Sequence, residues 1–152
     1  MNVPIHDTVQ VTRSLNASLN AVWEAYADVS QRVRWAVPEG EGMVYETSDF
    51  REGGRDRYRC GESESLEFYA EVEYTRIVPR ETIVYVETVT MANLVLGTSL
   101  MTWHFESQNE DEDTVVTVTS QIVSFVGAEM ITGNRNGHTA VLEQLERLLA
   151  RD

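Results

Sequence analysis

A chain of 152 residues, 42% hydrophobic and 24% charged, is long enough to bury one ordinary core. Its 25 acidic side chains outnumber 12 basic ones, all arginine, for a net charge of -13. A surface of that sign repels phosphate backbones and argues against nucleic acid as a partner. No stretch reaches the roughly 18 apolar residues of a membrane span. The opening MNVPIHDTVQVTR lacks the basic-then-apolar order of a secretory signal. A lone cysteine, Cys60, excludes an internal disulfide framework. The expectation is one domain over residues 1–152 in a reducing cytoplasm.

Residues 5–13 alternate, with Ile5, Val9 and Val11 on one face and His6, Thr8, Gln10 and Thr12 on the other, which predicts a half-buried strand. Ser18 is placed to cap a helix in which Leu19, Val22, Trp23 and Tyr26 recur at helical spacing. Asp28 or Ser30 starts a second short helical segment through Trp35, and Pro38-Glu39-Gly40-Glu41-Gly42 ends it. Strands are then predicted over 43–47, over 55–60 after Gly53-Gly54, and over 66–74. In the last of these Leu66, Phe68, Ala70, Val72 and Tyr74 oppose the water-facing Glu67, Glu71 and Glu73. Pro79 marks a turn into strands over 82–90 and 97–107, and the acidic hairpin loop 108–113 leads into a last strand over 114–125, rich in Val and Thr. From about Ala128 the period changes. Met130, Ile131, Val141, Leu142, Leu145, Leu148 and Leu149 fall at helical intervals, with Glu143 and Arg147 as an i,i+4 pair. Gly133 and Gly137 share one face of this helix and mark its weakest stretch; small residues there suit a helix pressed against a wall. Short loops make the strands antiparallel, and the order strand, helices, six strands, long helix reads as an α+β fold.

Several segments resemble one family. Asn16-Ala17-Ser18 through Val22-Trp23, Arg34-Trp35 with Pro38-Glu39-Gly40, Asp49-Phe50-Arg51-Glu52-Gly53-Gly54-Arg55, Tyr74 through Arg80, and Leu142 through Leu149 follow in order along nearly the whole chain. In that order they are similar to the activator-of-Hsp90-ATPase-homologue family, within the helix-grip superfamily of START and Bet v 1-like domains. Two positions depart from it. Ala36 follows Trp35 where the family often has a second tryptophan, and His138 follows Gly137 where it often has a Gly-Trp pair. The resemblance implies a curved antiparallel sheet wrapped around a long C-terminal helix, with a cavity between them. It also implies that the cavity takes a lipid, polyketide or other hydrophobic small molecule, and some members of the superfamily act as cyclases or aromatases.

Strand parity and helix face give the inward candidates: Phe68, Tyr74, Tyr85, Met101, Trp103 and Phe105 from the sheet, and Met130, Asn134, His138 and Val141 from the helix. Ordinary core packing is the alternative for each, most of all for Phe68 and Phe105. Trp103 and Tyr85 bring polar atoms that need partners. Glu87 shares parity with Tyr85, so an inward Tyr85 brings an inward carboxyl with a raised pKa, suited to general acid work; a solvated rim position is the alternative. His138, one turn after Asn134, is placed to hydrogen-bond a ligand or move a proton, against a reading as an exposed histidine. Of the neighbours Trp103 and His104 only one points inward. Cys60 sits in no nucleophile motif. Arg51, Arg55, Arg57 and Arg59 could form a local basic patch.

No metal-ligand spacing is present, and 110–113 lacks the calcium-loop pattern, so no metal and no cofactor are expected. The function these features favour is a binder of a hydrophobic small molecule. The alternatives are a cyclase- or aromatase-type enzyme using polar cavity residues, and a chaperone-associated interaction module. A homodimer is the commonest oligomer for such a chain.

Overall fold

The computed structural model describes residues 3–150. Strand β1 (Ile5–Leu15) is followed by helices α1 (Leu19–Ala27) and α2 (Val29–Arg32). Then come β2 (Glu41–Thr47), β3 (Arg55–Glu62), β4 (Phe68–Val78), β5 (Thr82–Met91), β6 (Leu94–Gln108), β7 (Asp113–Ser124) and α3 (Glu129–Leu149). The seven strands form one antiparallel sheet in the order β1-β7-β6-β5-β4-β3-β2. Each strand from β2 to β7 pairs with its neighbour in sequence, and β1 closes onto β7. The sheet stays open, with β1 and β2 as its edges. This is the α+β order expected from the pattern and the helix-grip arrangement that the resemblance implies, with strand ends shifted from the predicted bounds by a few residues.

Local chemistry explains the turns. The Ser18 side chain accepts from the Ala21 N–H at 3.2 Å, capping α1. Asp28 ends α1, and its carboxylate accepts from the Ser30 N–H at 2.9 Å to start α2. Three bulges bend the sheet: Glu46 in β2, Thr75 in β4 and Leu96 in β6 each lack an opposite residue in the ladder. Such insertions increase twist and curl a strand, which is what a sheet needs to wrap a helix. Leu66, expected in strand register with Phe68, instead sits in the β3–β4 turn at φ 43°. The acidic hairpin loop is not merely solvated: Asp111 accepts from the Leu19 N–H at 2.9 Å and so caps the first turn of α1 from across the fold.

The core is strongly aromatic. Trp23 and Tyr26 from α1, Trp35 after α2, and Tyr74, Tyr85, Trp103 and Phe105 from the sheet are all buried in one cluster with Leu142 and Leu145. The rings meet mostly edge to face, as Tyr26 does on Trp103 at 5.0 Å. Helix α3 packs on β1, β7 and α1 but stands away from β2 to β5. Its anchoring partners differ from those expected. Glu143 pairs with Arg13 of β1 and Arg147 with Glu39, so the i,i+4 pair within the helix does not form. Among the described residues no helix is long and apolar enough to cross a membrane.

Candidate functional site

The gap between α3 and strands β2 to β5 is a cavity of about 600 Å³. Its helix wall is one face of α3: Met130, Gly133, Asn134, Gly137, His138 and Val141. Its sheet wall is aromatic, with Tyr58, Phe68, Tyr74, Tyr85 and Trp103, and its end is closed by Tyr26, Arg32 and Trp35. A volume of this size suits a drug-sized or lipid-sized molecule.

Strand parity accounts for most of that lining. Phe68, Tyr74, Tyr85, Trp103, Asn134, His138 and Val141 all border the cavity, as do Met130 and Glu87. Met101 and Phe105 face inward too, but they are buried in the packed core and do not border it. Phe105 meets the Trp23 ring of α1 edge to face at 5.5 Å. Trp103 is inward and His104 exposed. The long helix expected from the pattern is observed, and Glu129–Leu149 runs without a break through its weakest stretch at Gly133 and Gly137. These glycines are not pressed against a wall. A Cβ added at Gly133 or Gly137 would meet nothing within 4 Å. These positions border open space.

The residues that strand and helix periodicity did not single out are Arg32 and Asp56, both essentially without solvent exposure. Arg32 Nη1 donates to Asp56 Oδ2 at 3.0 Å and to the Tyr45 hydroxyl at 3.1 Å, and Arg32 Nε donates to the Tyr26 carbonyl at 2.7 Å. The Tyr74 hydroxyl donates to Asp56 Oδ2 at 2.5 Å, and the Asp49 N–H to Oδ1 at 2.9 Å. The guanidinium lies 4.7 Å from the centre of the Tyr26 ring. Two charges removed from water are tolerable only with such dense pairing. A signal for Asp56 was present in the sequence: Arg55, Arg57 and Arg59 alternate with Asp56, Tyr58 and Cys60, so outward arginines imply inward partners. Arg32 lies in a four-residue helix too short to show a period. The arginines of that region make no free basic patch. Arg51 pairs with Asp49, Arg55 with Glu73 and Arg57 with Glu71, while Arg59 lies over the Tyr69 ring.

Burial sets the protonation of the lining. It pushes Glu87 above the usual carboxylate range, and the Tyr58 hydroxyl, donating to Glu87 at 2.5 Å, partly offsets this. It holds His138 down to about 4, so the imidazole is neutral at pH 7. It pushes the Cys60 thiol and the Tyr26 hydroxyl up to about 12, with Glu87 adding to the former and Arg32 opposing the latter. Cys60 is therefore a thiol and a poor nucleophile. Trp103 Nε1 donates to the Tyr85 hydroxyl at 3.1 Å, which satisfies both in the core. Among the described residues three lining groups have no hydrogen-bond partner: Arg32 Nη2, Asn134 Oδ1 and His138 Nε2. Among the described residues no group of His, Cys, Asp or Glu gathers in a way that could hold a metal ion.

Residues 16–150 match the family model described as activator of Hsp90 ATPase homolog 1-like protein. Solved structures with the same fold include a protein from Rhizobium loti, 28% identical, with a TM-score of 0.84 over 95% of this chain and 98% of that one. A protein from Rhizobium leguminosarum is 24% identical, with a TM-score of 0.85 over 100% of this chain and 99% of the other. One from Chromobacterium violaceum is 22% identical, with a TM-score of 0.82 over 96% and 99%. No curated protein matches the sequence.

Proposed function

The chain belongs to the activator of Hsp90 ATPase homolog 1-like family, and from its cavity we propose that it binds a hydrophobic small molecule between the sheet and α3. The observation that carries this reading is the pair of open glycines. Gly133 and Gly137 lower helix stability by about 1 kcal/mol each relative to alanine, yet nothing in the fold requires them to be small except the empty volume they border. The lining is mostly aromatic and apolar, with a few fixed polar groups, the composition of a small-molecule site. An apolar approach to it is also present. Leu94, Val95, Phe125 and Val126 are all exposed, and the Phe125 N–H bonds the Leu96 carbonyl, which brings the two segments together where Leu96 and Val126 border the cavity.

The test uses the neutral fluorescent probe N-phenyl-1-naphthylamine. One probe should bind per chain with blue-shifted emission, and Gly137→Leu, which fills the cavity from the helix side, should weaken binding at least tenfold. Probe binding that is absent, or unchanged in Gly137→Leu, overturns the reading. A second reading, a cyclase- or aromatase-type enzyme, is favoured by one observation: Tyr85, Glu87 and His138, the polar groups such chemistry would use, border the same cavity. It would require turnover of a bound compound that Glu87→Gln abolishes while binding persists.

A further inference from the structure

Among the polar atoms of the cavity, Asn134 Oδ1 and His138 Nε2 stand apart. Both are enclosed, both lack a hydrogen-bond partner, and both line the cavity from α3. They are four residues apart, so they lie one above the other on one helix face. A fold seldom leaves two neighbouring buried polar atoms unpaired, and such atoms call for a partner from outside the described residues. From this pair, and resting on the cavity reading above, we propose that the ligand is an uncharged aromatic molecule bearing a hydroxyl, and that Asn134 and His138 receive that hydroxyl together.

The donor inventory selects the group. Asn134 Oδ1 only accepts, so its partner must donate. Neutral His138 can carry its proton on Nε2 and donate to an oxygen. One hydroxyl meets both needs, giving its hydrogen to Asn134 and accepting from His138. A carboxylate can accept from His138 but has no hydrogen for Asn134, and two acceptors then face each other. Elsewhere in the lining, no positive charge is left unbalanced for an anion. The charge of Arg32 is already balanced by Asp56 at 3.0 Å, and Glu87 adds a second carboxyl group to the lining. Arg32 Nη2, unpartnered as well, is thus a donor for a neutral acceptor such as a carbonyl on the same molecule. The aromatic character follows from the wall, where the rings of Tyr58, Phe68, Tyr74, Tyr85 and Trp103 give a flat molecule faces and edges to meet.

The experiment compares naphthalene, 2-naphthol and 2-naphthoate as displacers of N-phenyl-1-naphthylamine at pH 7.5, where 2-naphthol is neutral. In the wild-type protein 2-naphthol should displace the probe at a concentration about tenfold lower than either of the others, the ratio expected when one hydroxyl satisfies two otherwise unpaired groups. In Asn134→Leu and in His138→Leu the ratio of naphthalene to 2-naphthol should fall below about threefold. Because the ratio is taken within each variant, a general weakening of binding cancels. Should a variant fail to fold, the wild-type protein decides: 2-naphthol should shift the His138 Nε2 nitrogen resonance, and naphthalene should not. Equal displacement by all three compounds, or a preference for 2-naphthoate, overturns the hydroxyl assignment and leaves the cavity reading standing. A probe that does not bind at all overturns both.

Discussion

The two halves of α3 share a continuous backbone and differ in almost everything else. Over Val141–Leu149 the helix buries Val141, Leu142 and Leu145 in the main core. Gln144 Nε2 donates to the Trp35 carbonyl at 3.1 Å and to the Val37 carbonyl, and Glu146 takes Arg13 at 2.7 Å. Over Glu129–His138 it has no side-chain cap at Ala128, two glycines, and two enclosed polar atoms without partners. Only Ile131 is buried there, in a small cluster with Val9 and Ile122. One half is built for stability. The other spends stability on open volume and unpaired donors and acceptors, and all of those features face the same cavity. Where several unfavourable local choices converge on one space, function is the physical reason to look for.

The largest expected effect lies in the packed half. Leu142 is fully buried, so Leu142→Ala removes its transfer energy and leaves a void, at a cost of about 2–5 kcal/mol. Urea unfolding should show a lower midpoint with an unchanged slope. Met130→Ala, on the cavity face, should cost clearly less, because Met130 already borders empty space. Equal losses at the two sites would mean that the halves are packed alike and would break the comparison.

The next effect is the pH response of the cavity half. Burial holds His138 at about 4 in the folded protein, below its ordinary value of 6.5. Between those values the unfolded chain carries the proton and the folded chain does not. Stability therefore falls as pH drops through that window and levels off below about 4, by at most about 3 kcal/mol. Glu87 acts in the opposite sense. Its folded pKa is raised by burial, so its contribution is present at low pH and is lost as pH rises through that value. The two are separated by difference: the gap in urea midpoint between His138→Gln and wild type should shift in favour of the variant on going from pH 7 to pH 4. A gap that does not change with pH would place His138 in solvent.

The same contrast governs how much was legible in the sequence. Period-two alternation in β4 and the helical spacing of Val141 to Leu149 gave the sheet, its inward face and the packed half of α3, because burial imposes a pattern wherever a wall is continuous. Trp103, Tyr74 and Tyr85 followed from that pattern. Which inward residues meet a void and which meet neighbours did not follow: Met101 and Phe105 share the parity of Trp103 but are buried in the packed core and do not border the cavity. Parity reports a face and carries no information on what stands opposite it. The Arg32–Asp56 pair was out of reach for a related reason. It joins a four-residue helix to a strand 24 positions away, and no local period encodes such a contact. Gly133 and Gly137 marked the weakest stretch of the expected long helix, and the helix runs through them, because tertiary anchoring outweighs a propensity cost of about 1 kcal/mol per glycine.

Those glycines supply the smallest effect and the sharpest test of the comparison. Gly137 has helical backbone, and an added Cβ would touch nothing within 4 Å. Alanine there removes conformational freedom from the unfolded chain without strain in the folded one, so Gly137→Ala should raise stability by about 0.5–1 kcal/mol. If the position existed for packing, the change would be neutral or harmful, as it would be at Gly97. There a Cβ would lie 2.7 Å from the Val123 carbonyl oxygen and 2.7 Å from the Met130 side chain. If the position exists for the cavity, the same methyl group should weaken binding of N-phenyl-1-naphthylamine by intruding on its space while the melting temperature rises. Opposite signs for stability and binding from one methyl group would tie the glycine to the ligand's volume, since neither helix propensity nor core packing can move both in those directions.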